Sequence, residues 1–102
     1  MSTQHNARIH AGATALVCAV GMLIDLSRIE WCCLLLAIAA VWTAESCNTA
    51  IEFACDVASS EFHPLVAKAK DVAAAAVLIT AIGACLVGAV IFFPHLAGFV
   101  NR

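Results

Sequence analysis

Charge is scarce in this chain. Of its 102 residues five are Lys or Arg and seven are Asp or Glu, 12% in all, where an ordinary soluble domain carries about 25%. With so few cations and a net charge of −2, the chain has no basic field able to neutralise the phosphates of DNA or RNA, and nucleic acid is not an expected partner. Proline occurs only twice, at Pro64 and Pro94, which leaves long stretches free to be helical. No two of the six cysteines have the C-x-x-C spacing: Cys18, Cys32, Cys33, Cys47, Cys55 and Cys85 all lie inside apolar segments. They read as small packing residues, with neither a zinc site nor a secreted disulfide framework indicated. Low-complexity linkers, coiled-coil heptads and internal repeats are also missing.

What is present is apolar: 64% of residues are hydrophobic and the mean hydropathy is +0.99, so lipid is the natural solvent for the chain. The length allows one domain, residues 1–102. The hydrophobic pattern predicts an all-α integral membrane protein with three transmembrane helices, over about 9–26, 31–58 and 72–93. The first apolar run follows Arg8 and resembles a signal peptide, but two further runs come after it with no soluble domain to export, which favours a retained span. Asp25, Ser27, Arg28 and Glu30 make a polar turn between the first two spans. The second run, Trp31 to Ala44, is short, yet residues 45–59 contain no Gly or Pro. One long helix that crosses the membrane and emerges from it fits best. His63-Pro64 then predicts a break, with a loop over 59–71, and Pro94 is expected to close the last helix. Arg8, Lys68 and Lys70 on one side outweigh Arg28 and Arg102 on the other, a small bias that puts the N-terminus and the 59–71 loop in the cytoplasm.

The polar residues are not scattered. Glu45, Asn48, Glu52 and Asp56 fall at roughly 0, 300, 340 and 20° around a helix at about 100° per residue, one stripe. Ionisable groups at membrane depth cost at least a few kcal/mol each and persist by facing a partner, a cavity or a functional site. Asp56, near the helix end, fits equally well as part of a wet face. Three carboxylates on one stripe repel one another unless a cation joins them, and hard oxygens beside an amide are what Mg²⁺ takes, usually together with substrate phosphates. Glu61, His63, Lys68, Lys70 and Asp71 follow closely. Lys68 reads as a snorkelling anchor, whereas Lys70, next to Asp71, is placed to contact phosphate. Basic and acidic residues after a Mg²⁺-competent stripe point to a nucleotide site. Because the polar groups gather at one end, a transporter or channel lining is disfavoured.

The run Glu45-x-x-Asn48-Thr49-Ala50-Ile51-Glu52-x-x-x-Asp56, followed by Ser60-Glu61-Phe62-His63-Pro64-Leu65 and Ala69-Lys70-Asp71, resembles the prokaryotic diacylglycerol kinase family, whose Gram-positive branch contains undecaprenol kinases. The likeness extends over nearly the whole chain. Arg8-Ile9-His10, Ser27 to Trp31 and Phe92-Phe93-Pro94 look more like the undecaprenol kinase branch, with the substrate left open between undecaprenol and diacylglycerol.

The resemblance implies a homotrimer of three-span subunits in the bacterial inner membrane. Its composite sites would face the cytoplasm and transfer the γ-phosphate of MgATP to a lipid hydroxyl. By the same resemblance Glu45 matches the general base and Asn48 the amide of the active-site helix. Glu52 matches a metal ligand, and Glu61, Phe62, His63, Lys70 and Asp71 match positions that hold the nucleotide. Asp56, Arg8 and Gln4 are possible supporting residues. Family members begin with an amphipathic surface helix, and this chain starts just after the place where that helix would end. A metal-binding glutamate of the family, four residues before the arginine matched by Arg8, falls on Gln4, and a neutral amide is the poorer Mg²⁺ ligand. The expectation is therefore an active lipid kinase; the alternative is a catalytically impaired relative that serves as an assembly partner or regulator.

Overall fold

A computed structural model of the chain describes residues 3–58, Glu61 and residues 63–101, with side chains described from Arg8 onward. Among the described residues the protein is all-α, with three helices: α1 (Thr3–Leu23), α2 (Arg28–Ala58) and α3 (Pro64–Val100). Successive helices run antiparallel, α2 packs along α3, and α1 meets α2 over a shorter stretch. The molecule is a rod of 60 × 21 × 20 Å, twice as long as the roughly 30 Å hydrocarbon core of a bilayer.

The turn between α1 and α2 is built from local chemistry. Asp25 takes a left-handed conformation, φ 59°, which reverses the chain. Ser27 then caps α2 reciprocally: its hydroxyl accepts from the Glu30 N–H at 3.2 Å, and its own N–H donates to Glu30 Oε1 at 3.0 Å. This is a capping box. Leu26, expected at the end of a span, lies instead in the turn and is buried. Leu26 and Trp31 both press on Gly21, where an added Cβ would lie 3.0 Å from each of them, so glycine is needed for this close approach. Leu26, Leu34 and Ile91 form the core, with Val17, Ile24, Trp31, Ile38, Val87 and Phe92 packed around it.

Two expectations about proline need correction. Pro64 does not stand inside a loop reaching residue 71 but occupies the first turn of α3, after His63, whose Nδ1 accepts from the Leu65 N–H at 3.1 Å. Proline at the first helical position forfeits no hydrogen bond, so it starts the helix here. Lys68, Lys70 and Asp71 consequently ride on the first two turns of α3. Pro94 does not close the last helix, which runs on to Val100. The missing N–H costs the helix one bond to the preceding turn. Beyond it, His95 is tied to the start of α2, its Nε2 lying 3.0 and 3.2 Å from the two Glu30 oxygens.

Much of the surface is apolar, with Leu23, Leu36, Val57, Val72 and Phe99 among the exposed large side chains. So contiguous an apolar exterior marks a surface meant for lipid or for other protein. Among the described residues two helices, α2 and α3, are long and apolar enough to cross a membrane, and Arg8–Leu23 is a shorter apolar helix.

Candidate active site

The stripe predicted on α2 is real and graded in depth. Glu45 is buried, at 7% exposure, Asn48 and Glu52 are half-buried, and Asp56 is exposed. Glu45 lies on the part of α2 that faces α1, and His10 approaches it from there, with Nε2 3.4 Å from Oε2. Its backbone carbonyl also accepts from the Thr49 hydroxyl at 3.0 Å. One turn further, the Asn48 amide nitrogen donates to Glu52 Oε1 at 3.3 Å, while Asn48 Oδ1 is buried with no protein partner. A buried acceptor left without a donor costs about 1–3 kcal/mol, and such an atom beside a carboxylate is suited to a cation or to a ligand's donor.

Asp56 accepts from Lys70 Nζ at 3.1 Å, joining the end of α2 to the start of α3. The hydrogen bond from Lys70 to Asp56, helped by the charge of that carboxylate, holds the ammonium above its usual 10.5. Both side chains are open to solvent, at 42% and 66% exposure, so the pair orients Lys70 more than it stabilises the fold. Asp71, Glu61 and Arg8 are exposed, and His63 caps α3 as described. Phe62 lies outside the described residues, as do Ser59, Ser60 and the side chain of Gln4.

The donor set bears on magnesium. Among the described residues no three His, Cys, Asp or Glu side chains converge as a metal cluster. Mg²⁺ does not require one, since it commonly takes one or two carboxylates and completes its shell with phosphate oxygens and water. Glu52 with the unpartnered Asn48 Oδ1 fits that partial role.

Beside the polar stripe lies an apolar cleft of about 290 Å³ shared by the three helices. His10, Thr14 and Trp42 line one end, and Leu34 and Phe92 lie toward the other. Residues 1–92 match the family model described as prokaryotic diacylglycerol kinase. The chain belongs to the prokaryotic diacylglycerol kinase family. It is 42% identical over 94 residues to the undecaprenol kinase of Bacillus subtilis (strain 168), an alignment covering 92% of this chain and 76% of that protein. A diacylglycerol kinase of Synechocystis sp. is 38% identical over 96 residues, 93% of this chain and 55% of that protein. The diacylglycerol kinase of Escherichia coli (strain K12) is 32% identical over 83 residues, 81% of this chain and 68% of the relative. The family is one of membrane-bound lipid kinases, as the apolar exterior and the two long apolar helices of this member lead one to expect.

Sequence reasoning found the α2 stripe and named Arg8 and Gln4 on α1, but missed His10, Thr14 and Trp42. Thr14 donates to the His10 carbonyl at 2.7 Å and accepts from Trp42 Nε1 at 3.1 Å, while the His10 and Trp42 rings lie 6.0 Å apart with their planes at 59°. A signal was available: His10 and Thr14 are polar residues at i and i+4 within an apolar run, hence on one face of α1.

Proposed function

We propose that this chain is an ATP-dependent kinase that phosphorylates a lipid alcohol, undecaprenol ahead of diacylglycerol, at the cytoplasmic face of the bacterial inner membrane. One observation carries the proposal: Glu45 is a buried carboxylate one helical turn beyond Val41 and Trp42, which line an apolar cleft. A lipid chain in that cleft would bring its hydroxyl toward Glu45, which serves as general base and takes the proton as the lipid oxygen attacks the γ-phosphorus. Glu52 and Asn48 Oδ1 are the residues that would hold magnesium, which when bound neutralises charge on the β- and γ-phosphates. Lys70, poised by Asp56, contacts phosphate, with Glu61, Phe62, His63 and Asp71 completing the nucleotide site. Undecaprenol is placed first because the relative of that name is 42% identical, against 38% and 32% for the two diacylglycerol kinases.

In this proposal all three helices cross the membrane and three copies assemble. Support for a trimer comes from the exposed apolar side chains and from Gly83 on α3, where an added Cβ would meet nothing within 4 Å, so another helix can approach closely. Transfer of radiolabelled phosphate from ATP to undecaprenol and to diacylglycerol, in separate assays of purified protein, tests the activity and ranks the substrates. Cysteines introduced at Ser27 and Ser60 of a variant freed of its native cysteines should label from opposite sides of the membrane. Labelling from the same side would rule out three spans.

A second reading, a kinase-fold membrane protein that assembles or regulates without catalysis, is favoured by Gln4, which stands where the family resemblance places a metal-binding glutamate. Gln4→Glu separates the two: it should raise transfer if the chain is a kinase, and no transfer by either form in a folded preparation would establish the second reading.

A further inference from the structure

Among the described residues Glu45 has one neighbour able to carry a positive charge, and it comes from another helix. Among its described contacts the carboxylate meets His10 Nε2 at 3.4 Å. A carboxylate this buried is strongly disfavoured unless a partner holds it. His10 is itself held from two sides. Thr14 donates to its backbone carbonyl and receives the Trp42 N–H, while the indole of Trp42 tilts against the imidazole. Trp42 lies one turn before Glu45 on α2, so the chain of contacts leaves α2, crosses α1 and returns to α2 at the carboxylate. His10, Thr14 and Trp42 also line the apolar cleft. The His10 contact is longer than the 2.7–2.9 Å or so of a tight charge-assisted bond, a looseness common at catalytic groups before substrate binds.

We propose that His10 is a positioning residue for Glu45, holding the carboxylate at the head of the cleft through Nε2, with Trp42, itself tied to Thr14, flanking the imidazole. The proposal rests on the lipid kinase assignment of Glu45. In the step it serves, the lipid O–H bond breaks and its proton goes to Glu45. The lipid oxygen bonds the γ-phosphorus, and the bond from that phosphorus to the bridging oxygen breaks, leaving its electron pair on ADP. His10 touches none of the reacting atoms in this scheme and acts by fixing where the accepting oxygen stands.

His10→Ala should lower kcat about 10- to 100-fold, the range typical when a group that orients a functional ligand is lost, while leaving KM for ATP within about twofold, since uniform binding is untouched. His10→Gln, which retains an N–H near the position of Nε2, should recover part of the rate. In a Glu45→Gln background His10→Ala should add nothing, because two groups acting as a unit are not additive. Independently of turnover, the ring-nitrogen resonances of isotope-labelled histidine in detergent micelles should include one signal that moves in Glu45→Gln and is absent in His10→Ala. Wild-type protein that transfers no phosphate would sink the kinase assignment and this proposal with it. An active wild type whose His10→Ala variant keeps full kcat, or whose histidine signals ignore Glu45→Gln, would overturn the proposal alone and leave the kinase standing.

Discussion

Two histidine–glutamate contacts join the helices, one at the turn end of the bundle and one midway along α2, and the two pairs are built differently. At the turn end, Glu30 is saturated: it accepts from the Ser27 N–H, and both its oxygens lie near His95 Nε2, at 3.0 and 3.2 Å, with both side chains about 30% exposed. Midway along α2 Glu45 is buried and meets His10 through one oxygen at 3.4 Å, one turn before Asn48, whose Oδ1 has no partner among the described residues. Some 22 Å of α2, at 1.5 Å per residue, separates them. The first arrangement fastens the chain: it caps α2 and anchors the segment of α3 beyond Pro94. The second is a buried carboxylate with a single longer contact, an arrangement that suits the catalytic role proposed for it. Under the proposed function, the same two residue types serve structure in the fully bonded pair and chemistry in the other.

The difference can be broken most sharply at Glu45. Glu45→Gln should lower phosphate transfer about a hundredfold or more, within the range for loss of a general base. Nucleotide affinity and thermal stability in detergent should change little. A variant that loses stability and keeps its rate would put Glu45 in the same class as Glu30. Next in size is Glu52→Gln, which should weaken ATP binding and slow transfer together, with partial recovery at high magnesium, because a ligand shared with the phosphates is lost. Titrating ATP and Mg²⁺ against rate distinguishes this from the Glu45 effect.

At the turn end the expected effects are on stability alone. Gly21→Leu drives a side chain into Leu26 and Trp31 and should destabilise the α1–α2 hairpin by about 1–3 kcal/mol, the usual cost of overpacking. Thermal unfolding in micelles measures it, and unchanged stability would mean that the contacts around Gly21 yield freely. The smallest effect concerns pH. The Ser27 N–H first, and His95 after it, hold the Glu30 carboxyl below its ordinary 4.5. A depressed carboxyl contributes fully above 4.5 and loses its contribution as pH falls through the lowered value. Unfolding temperature should therefore drop on acidification below 4.5, and Glu30→Gln should flatten that part of the profile. Identical profiles for the two proteins would remove Glu30 from the account.

Much of this was legible in the residues. The α2 helix, expected over 31–58, runs from Arg28 to Ala58, because an unbroken apolar run without Gly or Pro has little else to become. The stripe of Glu45, Asn48, Glu52 and Asp56 follows from helical periodicity alone. The prolines were harder. Pro64 and Pro94 have the same local meaning, a missing donor, yet one begins α3 and the other sits within it. What decides between them is whether the preceding turn needs the bond and what holds the chain beyond, neither of which is a property of the neighbouring residues.

The sequence by itself determined the helices, the apolar surface that suits them to lipid, and which polar groups share a face. These depend on spacing along one element, and spacing is local. Only the tertiary structure decided the partnerships: His10 with Glu45, Trp42 with Thr14 across 28 residues, and His95 with Glu30 across 65. Those pairs are set by the rotation and axial offset of one helix against another. Apolar packing fixes both, and a helix with apolar residues on nearly every side does not announce which face it will turn toward its neighbour.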